Sequence, residues 1–358
     1  PQLKFGGVER GVIDTLRYLN KKNIKNYIFC ENYNPDIINP KEKKQVFKSR
    51  GLKFKNIFNF FELNNELKIL ILKKKINLIH ISSRAPAVVF YNLIRKNDDI
   101  TYVTSIHNPY SGNYLKKFYN SFLTKGNKII CNSNFTKKIL VELNSRFKNC
   151  EVIYPGVSNF SKIKEEKIEI NLGHPTLLTL ARLEKRKGHV EILKSIAQLK
   201  YSFPNLTYIV AGEGSEKFNL IKLSKKLKIE KHVRFIGSIN ENQKKYIFNK
   251  TDLMVMPTID ETHNNSIEGF GISYIEAALF GIPSIASNVG GTAEAVIHNK
   301  TGIILDNLEN LSNVIEDLIK DQNKRKMLGR NAKYRAQSEL DWKHQIETYI
   351  SIIKNFNH

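Results

Sequence analysis

The sequence predicts an α/β protein with two doubly wound domains, each built on a parallel sheet that helices cover on both faces. Short apolar runs that fit buried strands alternate with helical patterns along almost the whole chain, and this alternation is typical of parallel sheets. A length of 358 residues suffices for two domains of ordinary size, and a hydrophobic content of 41% lets both bury a core. We expect the two domains to face each other across a deep cleft.

The first domain is predicted over residues 1–157. It opens with a glycine turn, Gly6-Gly7, before a helix in which Val8, Val12 and Leu16 recur at helical spacing. Strands and helices then alternate to the end of the domain. The predicted strands cover residues 26–30, 52–57, 77–81, 101–106 and 128–132, and a helix covers residues 63–72.

The second domain is predicted over residues 174–335, after a polar linker at 158–173 that is rich in Lys and Glu. The same alternation continues through it. The predicted strands cover residues 176–181, 206–210, 253–256, 281–286 and 302–305, and helices cover residues 190–199 and 308–318. Residues 336–358 are predicted to form a terminal helix, whose apolar stripe consists of Trp342, Ile346, Tyr349 and Ile353.

The net charge of +23 leaves three interpretations open. A Lys-rich source proteome explains it without any partner. Attraction to an anionic membrane face also explains it, since each Lys or Arg near such a surface contributes roughly 1 kcal/mol. Nucleic acid binding is disfavoured, because the charge is spread along the chain and no nucleic-acid motif accompanies it. Residues 110–128 combine aromatic and lysine side chains, which fits either a membrane-facing helix or an ordinary helix with a basic side.

The sequence favours a cytoplasmic protein. No apolar run reaches the roughly 18 residues needed to span a bilayer. The three cysteines, Cys30, Cys131 and Cys150, have no metal-ligand spacing, and an odd count without a framework favours a reducing compartment. Peripheral attachment to the inner face of the cell membrane stays open as an alternative.

The most informative stretch reads IEGFGISYIEA and holds two carboxylates, Glu268 and Glu276, around a Gly-Phe-Gly turn. The apolar spacing after the turn predicts a helix that starts at Gly271, Ile272 and Ser273. The free N–H groups of such a helix start bind anions, phosphate above all. One carboxylate therefore lies on a loop beside an anion site, and the other lies within the first turns of the helix.

Two further candidate side chains lie at predicted carboxyl ends of strands, where open α/β sheets bind ligands. Arg84 follows the strand at 77–81 and either contacts an acceptor phosphate or caps a loop. His107 follows the strand at 101–106, and a lone His in such a place has either a structural or a ligand-binding role. Asp98-Asp99 lacks the Asp-x-Asp spacing that binds a divalent cation, so no metal site is predicted.

The two carboxylates and their companion motifs resemble those of the retaining, nucleotide-sugar-dependent glycosyltransferases of the GT4 type. These enzymes have the GT-B fold, in which two Rossmann-like domains face a cleft. Gly6-Gly7, the basic stretch at 182–188 and the Glu-x7-Glu pattern follow one another in the family's order, so the resemblance covers essentially the whole chain. It implies a first strand just before residue 1, which this chain nearly lacks, and a terminal helix at 336–358 that crosses back over the first domain.

The resemblance implies a role for each charged candidate. Glu276 would accept hydrogen bonds from the ribose hydroxyls of the donor, since a carboxylate accepts from both vicinal OH groups. Glu268 would lie by the transferred sugar and stabilise positive charge on its ring. Arg182 and Lys187 would hold the donor diphosphate, whose negative charge grows as the glycosidic bond breaks.

The remaining roles implied by the resemblance concern less specific positions. His107 would hydrogen-bond the transferred sugar, and Gly7 would let the backbone approach the donor closely. Ile236 would lie in a loop that reads the nucleotide base through backbone groups. Lys185 and Arg186, which flank the diphosphate ligands in sequence, are expected to be solvated.

The implied reaction moves a sugar from a nucleoside diphosphate, GDP-mannose or a UDP-sugar, to a hydroxyl of a glycan or lipid-linked acceptor. The anomeric configuration would be retained, and neither a cofactor nor a metal is expected. Such enzymes build cell-surface polysaccharide or lipopolysaccharide. Two alternatives stay open at this stage: a nucleotide-sugar-binding protein without catalysis, and a nucleotide-sugar epimerase of related fold.

Overall fold

The computed structural model describes residues 2–3, 7–33, 38–48, 60–82, 87, 91, 100–107, 121–261 and 267–354. The chain divides into two compact units. The first comprises Pro1–Gly156 and Lys343–His358, and the second comprises Val157–Trp342. Residues 158–173, for which the sequence predicts a linker, therefore belong to the second unit.

The first unit contains a four-stranded parallel sheet in the order β5-β6-β7-β8 and two short parallel pairs, β1 with β3 and β2 with β4. Its described strands are β1 (Gln2–Leu3), β2 (Ile28–Cys30), β3 (Asn32–Tyr33), β4 (Val46–Lys48), β5 (Leu78–Ile81), β6 (Thr101–Ile106), β7 (Lys128–Cys131) and β8 (Glu151–Val152). Its described helices include α1 (Gly7–Lys21), α2 (Phe60–Lys74) and α3 (Asn134–Leu143). Leu63 and Leu67 of α2 pack into one core with Tyr102 and Ile106 of β6.

Two short strands of this unit bear on the sequence predictions. The sequence predicts that the first strand is nearly absent, and Gln2–Leu3 form a strand of only two residues beside Asn32–Tyr33. Val46–Lys48 is a strand that the sequence does not predict, because its three residues are only partly buried and form no apolar run. The strand predicted at 52–57 lies outside the described residues.

The second unit is built on one six-stranded parallel sheet in the order β11-β10-β9-β12-β13-β14. Its strands are β9 (Thr176–Leu180), β10 (Thr207–Ala211), β11 (Val233–Gly237), β12 (Leu253–Met256), β13 (Ser284–Ser287) and β14 (Gly302–Leu305). The helices that follow are α4 (His189–Leu199), α5 (Lys217–Lys226), α6 (Glu241–Asn249), α7 (Ile272–Leu279), α8 (Thr292–Ala295), α9 (Leu311–Lys320) and α10 (Gln322–Ser338). The last helix, α11 (Trp342–Lys354), begins at the final residue of the second unit, and its residues from Lys343 onward belong to the first unit.

The strand order of the second unit defines where a ligand can bind. From β9 the chain builds outward through β10 and β11, and it then returns to the other side of β9 with β12. The connections that leave the neighbouring strands β9 and β12 therefore run in opposite directions along the sheet. The place between them is the topological switch point, where open α/β sheets bind ligands. All residues of β10 and β12 are buried, which explains why both read as uninterrupted apolar runs.

The helices of the second unit pack their apolar faces on this sheet. Leu311, Ile315 and Leu318 of α9 recur at helical spacing and join one core with Leu177 of β9 and Val255 of β12. None of the helices in the described part of the chain is both long and apolar enough to cross a membrane.

Candidate functional site

The loop after β9 is locked against the loop after β12. It contains a turn of 3-10 helix at Lys185–Lys187, which ends at Gly188 with a positive φ of 71°. A Cβ atom at Gly188 would lie 2.0 Å from the carbonyl oxygen of Pro257, so only glycine fits. The N–H of Ile259 donates to the carbonyl of Arg186 at 2.8 Å. These contacts hold the basic loop at the switch point.

Glu268 lies between two cations of that basic loop. Its Oε2 accepts hydrogen bonds from Arg186 and, at 2.5 Å, from Nζ of Lys187. Glu184 extends the cluster, because its two oxygens lie 2.7 Å from Nη1 of Arg182 and 3.3 Å from Nε of Arg186. We call these five residues the switch-point cluster: Arg182, Glu184, Arg186, Lys187 and Glu268.

The inner part of the switch-point cluster is shielded from water. The exposed fraction is 12% for the side chain of Glu268, 10% for Arg186 and 9% for Lys187, whereas Arg182 is 71% exposed. Burial alone would raise the pKa of Glu268, but the charges of Lys187 and Arg186 hold that pKa below its ordinary value. Burial lowers the pKa of Lys187, and the nearby Arg186 lowers it further against the pull of Glu268. The carboxylate is therefore ionised at neutral pH, and two cations share it.

The backbone at Glu268 is supported by the glycine turn before α8. The N–H of Gly291 donates to the carbonyl of Glu268 at 2.9 Å. Gly290 has a φ of 69°, and a Cβ atom there would lie 2.3 Å from the same carbonyl oxygen. The Gly-Gly pair thus allows the two loops to approach closely enough to fix Glu268.

The start of α7 has a glycine at its N-cap, followed by two partly exposed residues. Gly271 takes the N-cap position with a φ of 101°, and no side chain in the described part of the chain caps the helix there. The backbone N–H groups at Ile272 and Ser273, whose residues are partly exposed, carry the positive end of the helix dipole. The hydroxyl of Tyr274 donates to the carbonyl of Met256 at 2.5 Å, so the helix start is fixed to the end of β12. Nζ of Lys187 lies 3.7 Å from Sδ of that same Met256.

Glu276 lies one turn further along α7 and is nearly buried. Its Oε1 accepts a hydrogen bond from Nζ of Lys244 on α6 at 2.8 Å. Nζ of Lys244 also lies 3.0 Å from Oε1 of Glu241. Burial alone would lower the pKa of Lys244, but the two carboxylates raise it above its ordinary value.

Ile236 lies in β11 rather than in the loop that the sequence suggested, at an irregularity of the sheet. Phe235 pairs with Val210 and Gly237 pairs with Ala211, so the register skips Ile236. The N–H of Gly212 donates to the carbonyl of Gly237 at 2.7 Å. The irregularity interrupts the ladder at the carboxyl end of the edge strand, where the sequence predicts contact with the base.

The candidate residues of the first unit are described only in part. His107 directly follows β6 and is partly buried, and its carbonyl accepts a hydrogen bond from Nδ2 of Asn132 at 2.9 Å. Desolvation by the surrounding protein lowers the pKa of His107 to about 4, so the imidazole is neutral at neutral pH. Gly7 begins α1. Arg84 and most of the aromatic, lysine-rich stretch at 110–128 lie outside the described residues.

Besides the position of Ile236, the structure corrects the expectation for Arg186 and adds one residue that the sequence did not indicate. Arg186 is not solvated: it is buried and bonded to Glu268, 82 positions further along the chain. The neighbouring Lys185 and Lys187 have the same charge as Arg186, so the local sequence does not show which of the three side chains is buried. Lys244 was not singled out, because its partner Glu276 lies on another helix and a single Lys in a basic chain carries no signal. Both could have been found only from the tertiary packing.

Potential metal ligands are not clustered in the described part of the chain. Within the ranges given above, no three His, Cys, Asp or Glu side chains are grouped so that they could hold a metal ion.

Two family models match the chain. Glycosyltransferase Family 4 matches residues 5–159, and Glycosyl transferases group 1 matches residues 160–335. The glycogen synthase of Mycobacterium tuberculosis is 29% identical over 172 residues, which are 48% of this chain and 40% of that protein. The GDP-mannose-dependent alpha-(1-6)-phosphatidylinositol monomannoside mannosyltransferase of the same species is 26% identical over 170 residues, 47% of this chain and 44% of that protein. The matched region thus spans less than half the length of both relatives.

A solved structure with the same fold covers nearly the whole chain. The Anabaena protein HepE in complex with UDP and glucose aligns with a TM-score of 0.77 and 18% identity, over 99% of this chain and 97% of that one. Together with the two family models, this likeness identifies the architecture of two parallel-sheet units as GT-B. The chain belongs to glycosyltransferase family 4.

Proposed function

We propose that this enzyme transfers a sugar from a nucleoside diphosphate donor to a hydroxyl of a glycan or lipid-linked acceptor, with retention at the anomeric carbon. The observation that carries the proposal is the convergence, at the end of β12, of the switch-point cluster and the uncapped start of α7. Cations and oriented N–H groups at a topological switch point suit a diphosphate.

The diphosphate of the donor would lie against Arg182, Lys187 and the N–H groups at the start of α7. Negative charge grows on this leaving group as the glycosidic bond breaks, and preorganised cations stabilise it without rearrangement. Lys187 shares Glu268 with Arg186, so the carboxylate compensates its charge only in part. We propose that these groups stabilise the leaving group in place of a metal ion.

The two carboxylates would serve different parts of the donor. Glu276 would accept hydrogen bonds from the ribose hydroxyls, because an ionised carboxylate binds two vicinal OH groups well. Glu268, ionised and held by two cations, would orient the sugar and stabilise positive charge on its ring. A neutral His107 would hydrogen-bond the sugar from the first unit. The leaving diphosphate would itself take the proton of the acceptor hydroxyl, on the face from which it departs.

The donor nucleotide is proposed to be GDP-mannose or a UDP-sugar. The name of one relative is that of a GDP-mannose-dependent enzyme, and the HepE structure contains UDP. Ile236, at the end of the edge strand, would lie near the base in either case.

We also propose that the acceptor is handled at an anionic membrane face in the cytoplasm. On α2, Ile69 and Leu72 are 64% and 66% exposed, and the exposed Lys68 and Lys73 lie next to them in the sequence. Apolar and basic side chains exposed on one helix suit a lipid surface. Sedimentation with vesicles that contain anionic lipid should fall for Ile69→Ser with Leu72→Ser. Equal sedimentation of this variant and the wild type would contradict the contact.

The transfer reaction can be tested by the release of nucleoside diphosphate from UDP-glucose and GDP-mannose. We expect Glu276→Ala mainly to raise KM for the donor and Glu268→Ala mainly to lower kcat. Lys185→Ala serves as the control, because Lys185 is exposed beside the site and should leave both constants unchanged. Release at the wild-type rate from both carboxylate variants would overturn the proposed roles. Binding of donor without any release or transfer would favour a nucleotide-sugar-binding protein instead.

A further inference from the structure

Lys244 is an unusually placed cation within the second unit. Its side chain is only 16% exposed, and its Nζ lies between two carboxylates that belong to different helices. Glu241, on its own helix α6, is 37% exposed, whereas Glu276, on α7, is 11% exposed. A Lys is rarely buried to this extent unless it is paired, so the contact with Glu276 is the one that needs an explanation.

The helix that carries Lys244 is fixed at its start. Asn240 and Gln243 form a capping box, in which each side chain bonds the backbone N–H of the other. The side chains of both residues also bond Glu166, at 3.2 and 2.8 Å. Lys244 follows directly in the same turn. The backbone that carries Lys244 is therefore held by a capped helix rather than by a loop, and the two carboxylates then hold Nζ.

The geometry leaves part of the Glu276 carboxylate available. Lys244 donates to Oε1, and within the described part of the chain no hydrogen bond reaches Oε2. An ionised carboxylate has about four acceptor positions, so one Lys N–H leaves room for two hydroxyl donors. A hydrogen bond at one oxygen also restricts the rotation of the carboxylate, which favours contact of its other acceptor positions with neighbouring hydroxyls.

We propose that Lys244 is a positioning residue for nucleotide recognition: it holds the Glu276 carboxylate in the orientation that binds the two ribose hydroxyls of the donor. This inference rests on the proposed function, because it assigns the ribose to Glu276. Lys244 acts through Glu276 and does not itself touch the reacting atoms. The competing explanation is an ion pair that only joins α6 to α7.

The two explanations differ in how the effect of Lys244 depends on the ribose hydroxyls. The test is isothermal titration of wild type, Lys244→Met and Lys244→Arg with UDP and GDP and with their 2′,3′-dideoxy forms. For the nucleotide that binds, we expect Lys244→Met to weaken binding about tenfold, as for a lost hydrogen bond to a charged group. The dideoxy form, which has no hydroxyls for Glu276, should bind wild type and Lys244→Met within about twofold of each other.

Two controls sharpen the test. Lys245→Met changes the next lysine of α6, whose Nζ donates to the carbonyl of Ile163 at 2.7 Å and not to Glu276, and it should leave every affinity unchanged. Lys244→Arg keeps the charge and should restore most of the affinity. Lys244→Gln, which tolerates burial without a charge, is measured beside Lys244→Met and should show the same loss confined to the ribose-bearing nucleotide.

The outcomes separate the inference from the function on which it rests. If Lys244→Met and Lys244→Gln weaken the normal and the dideoxy nucleotide equally, or weaken neither, the positioning role is wrong while nucleotide binding stands. If the wild type binds neither UDP nor GDP, the proposed function is overturned and the role of Lys244 with it.

Discussion

Removal of the charge at Glu268 should destabilise the second unit strongly. Glu268→Gln leaves Arg186 and Lys187, whose side chains are 10% and 9% exposed, without the carboxylate that they share. Two charge-assisted hydrogen bonds are lost: Lys187 loses the carboxylate that it contacts, and Arg186 keeps its contact with Glu184. Breaking such a pair costs about 3–5 kcal/mol in the free energy of unfolding. For a unit of this size, the loss lowers Tm by roughly 6–20 °C.

The single Trp of the chain makes this loss measurable. Trp342 is the last residue of the second unit, and its backbone N–H donates to the carbonyl of Val157 at 3.0 Å. Its fluorescence during urea unfolding therefore reports on that unit. Glu191→Gln is the matched control: Glu191 pairs with Lys194 at 3.1 Å on the surface, and loss of that pair should cost less than about 1 kcal/mol.

Two results bear on the reasoning. Addition of Lys187→Met to Glu268→Gln should recover part of the stability, because one unpaired buried cation is removed. If instead Glu268→Gln loses no more stability than Glu191→Gln, then Glu268 does not hold the two cations, and the switch-point cluster is not organised as described.

Three further predictions follow from the same site. The folded-state pKa of Glu268 is lowered, so its contribution to stability is present at neutral pH and disappears as pH falls. The difference in unfolding free energy between wild type and Glu268→Gln should therefore shrink below about pH 4.3. A difference that stays constant from pH 7 to 3 would contradict this. Gly290→Ala should lower Tm more than Gly281→Ala in thermal melts, although both glycines have a positive φ. A Cβ at Gly290 would lie 2.3 Å from a carbonyl oxygen and clash with it, whereas a Cβ at Gly281 would lie 3.7 Å from one, which is an ordinary contact. Equal losses would refute the clash. Arg186→Met should weaken donor binding at least about tenfold in titrations, because Glu268 then neutralises Lys187 fully, whereas Lys185→Met should not change it.

The second unit could be predicted well from its sequence, and the reason is physical. A central parallel strand is buried on both faces, so β10 and β12 had to be continuous apolar runs. The Gly-Phe-Gly turn and the helix start at Ile272 are local features, and both are present. The pairing of Glu268 with Lys187 was not predicted; it arises because the loops after two neighbouring strands meet.

The unpredicted parts depend on contacts between distant residues. Arg186 and Lys187 turn inward, and Lys185 does not, because the 3-10 turn that ends at Gly188 directs the first two toward Glu268. Lys244 meets Glu276 only because α6 and α7 are neighbours. In the first unit, Val46–Lys48 is too short and too exposed for a periodic pattern. Spacing along the chain contains none of these contacts.

The central proposal, a nucleoside diphosphate site at the switch point that needs no metal, is tested most directly by isothermal titration of the purified chain with UDP and GDP in the presence of EDTA. We predict that one of the two nucleotides binds at micromolar concentration, that EDTA does not change its affinity, and that Glu276→Ala weakens it. If neither nucleotide binds, or if EDTA abolishes binding, the proposal is contradicted.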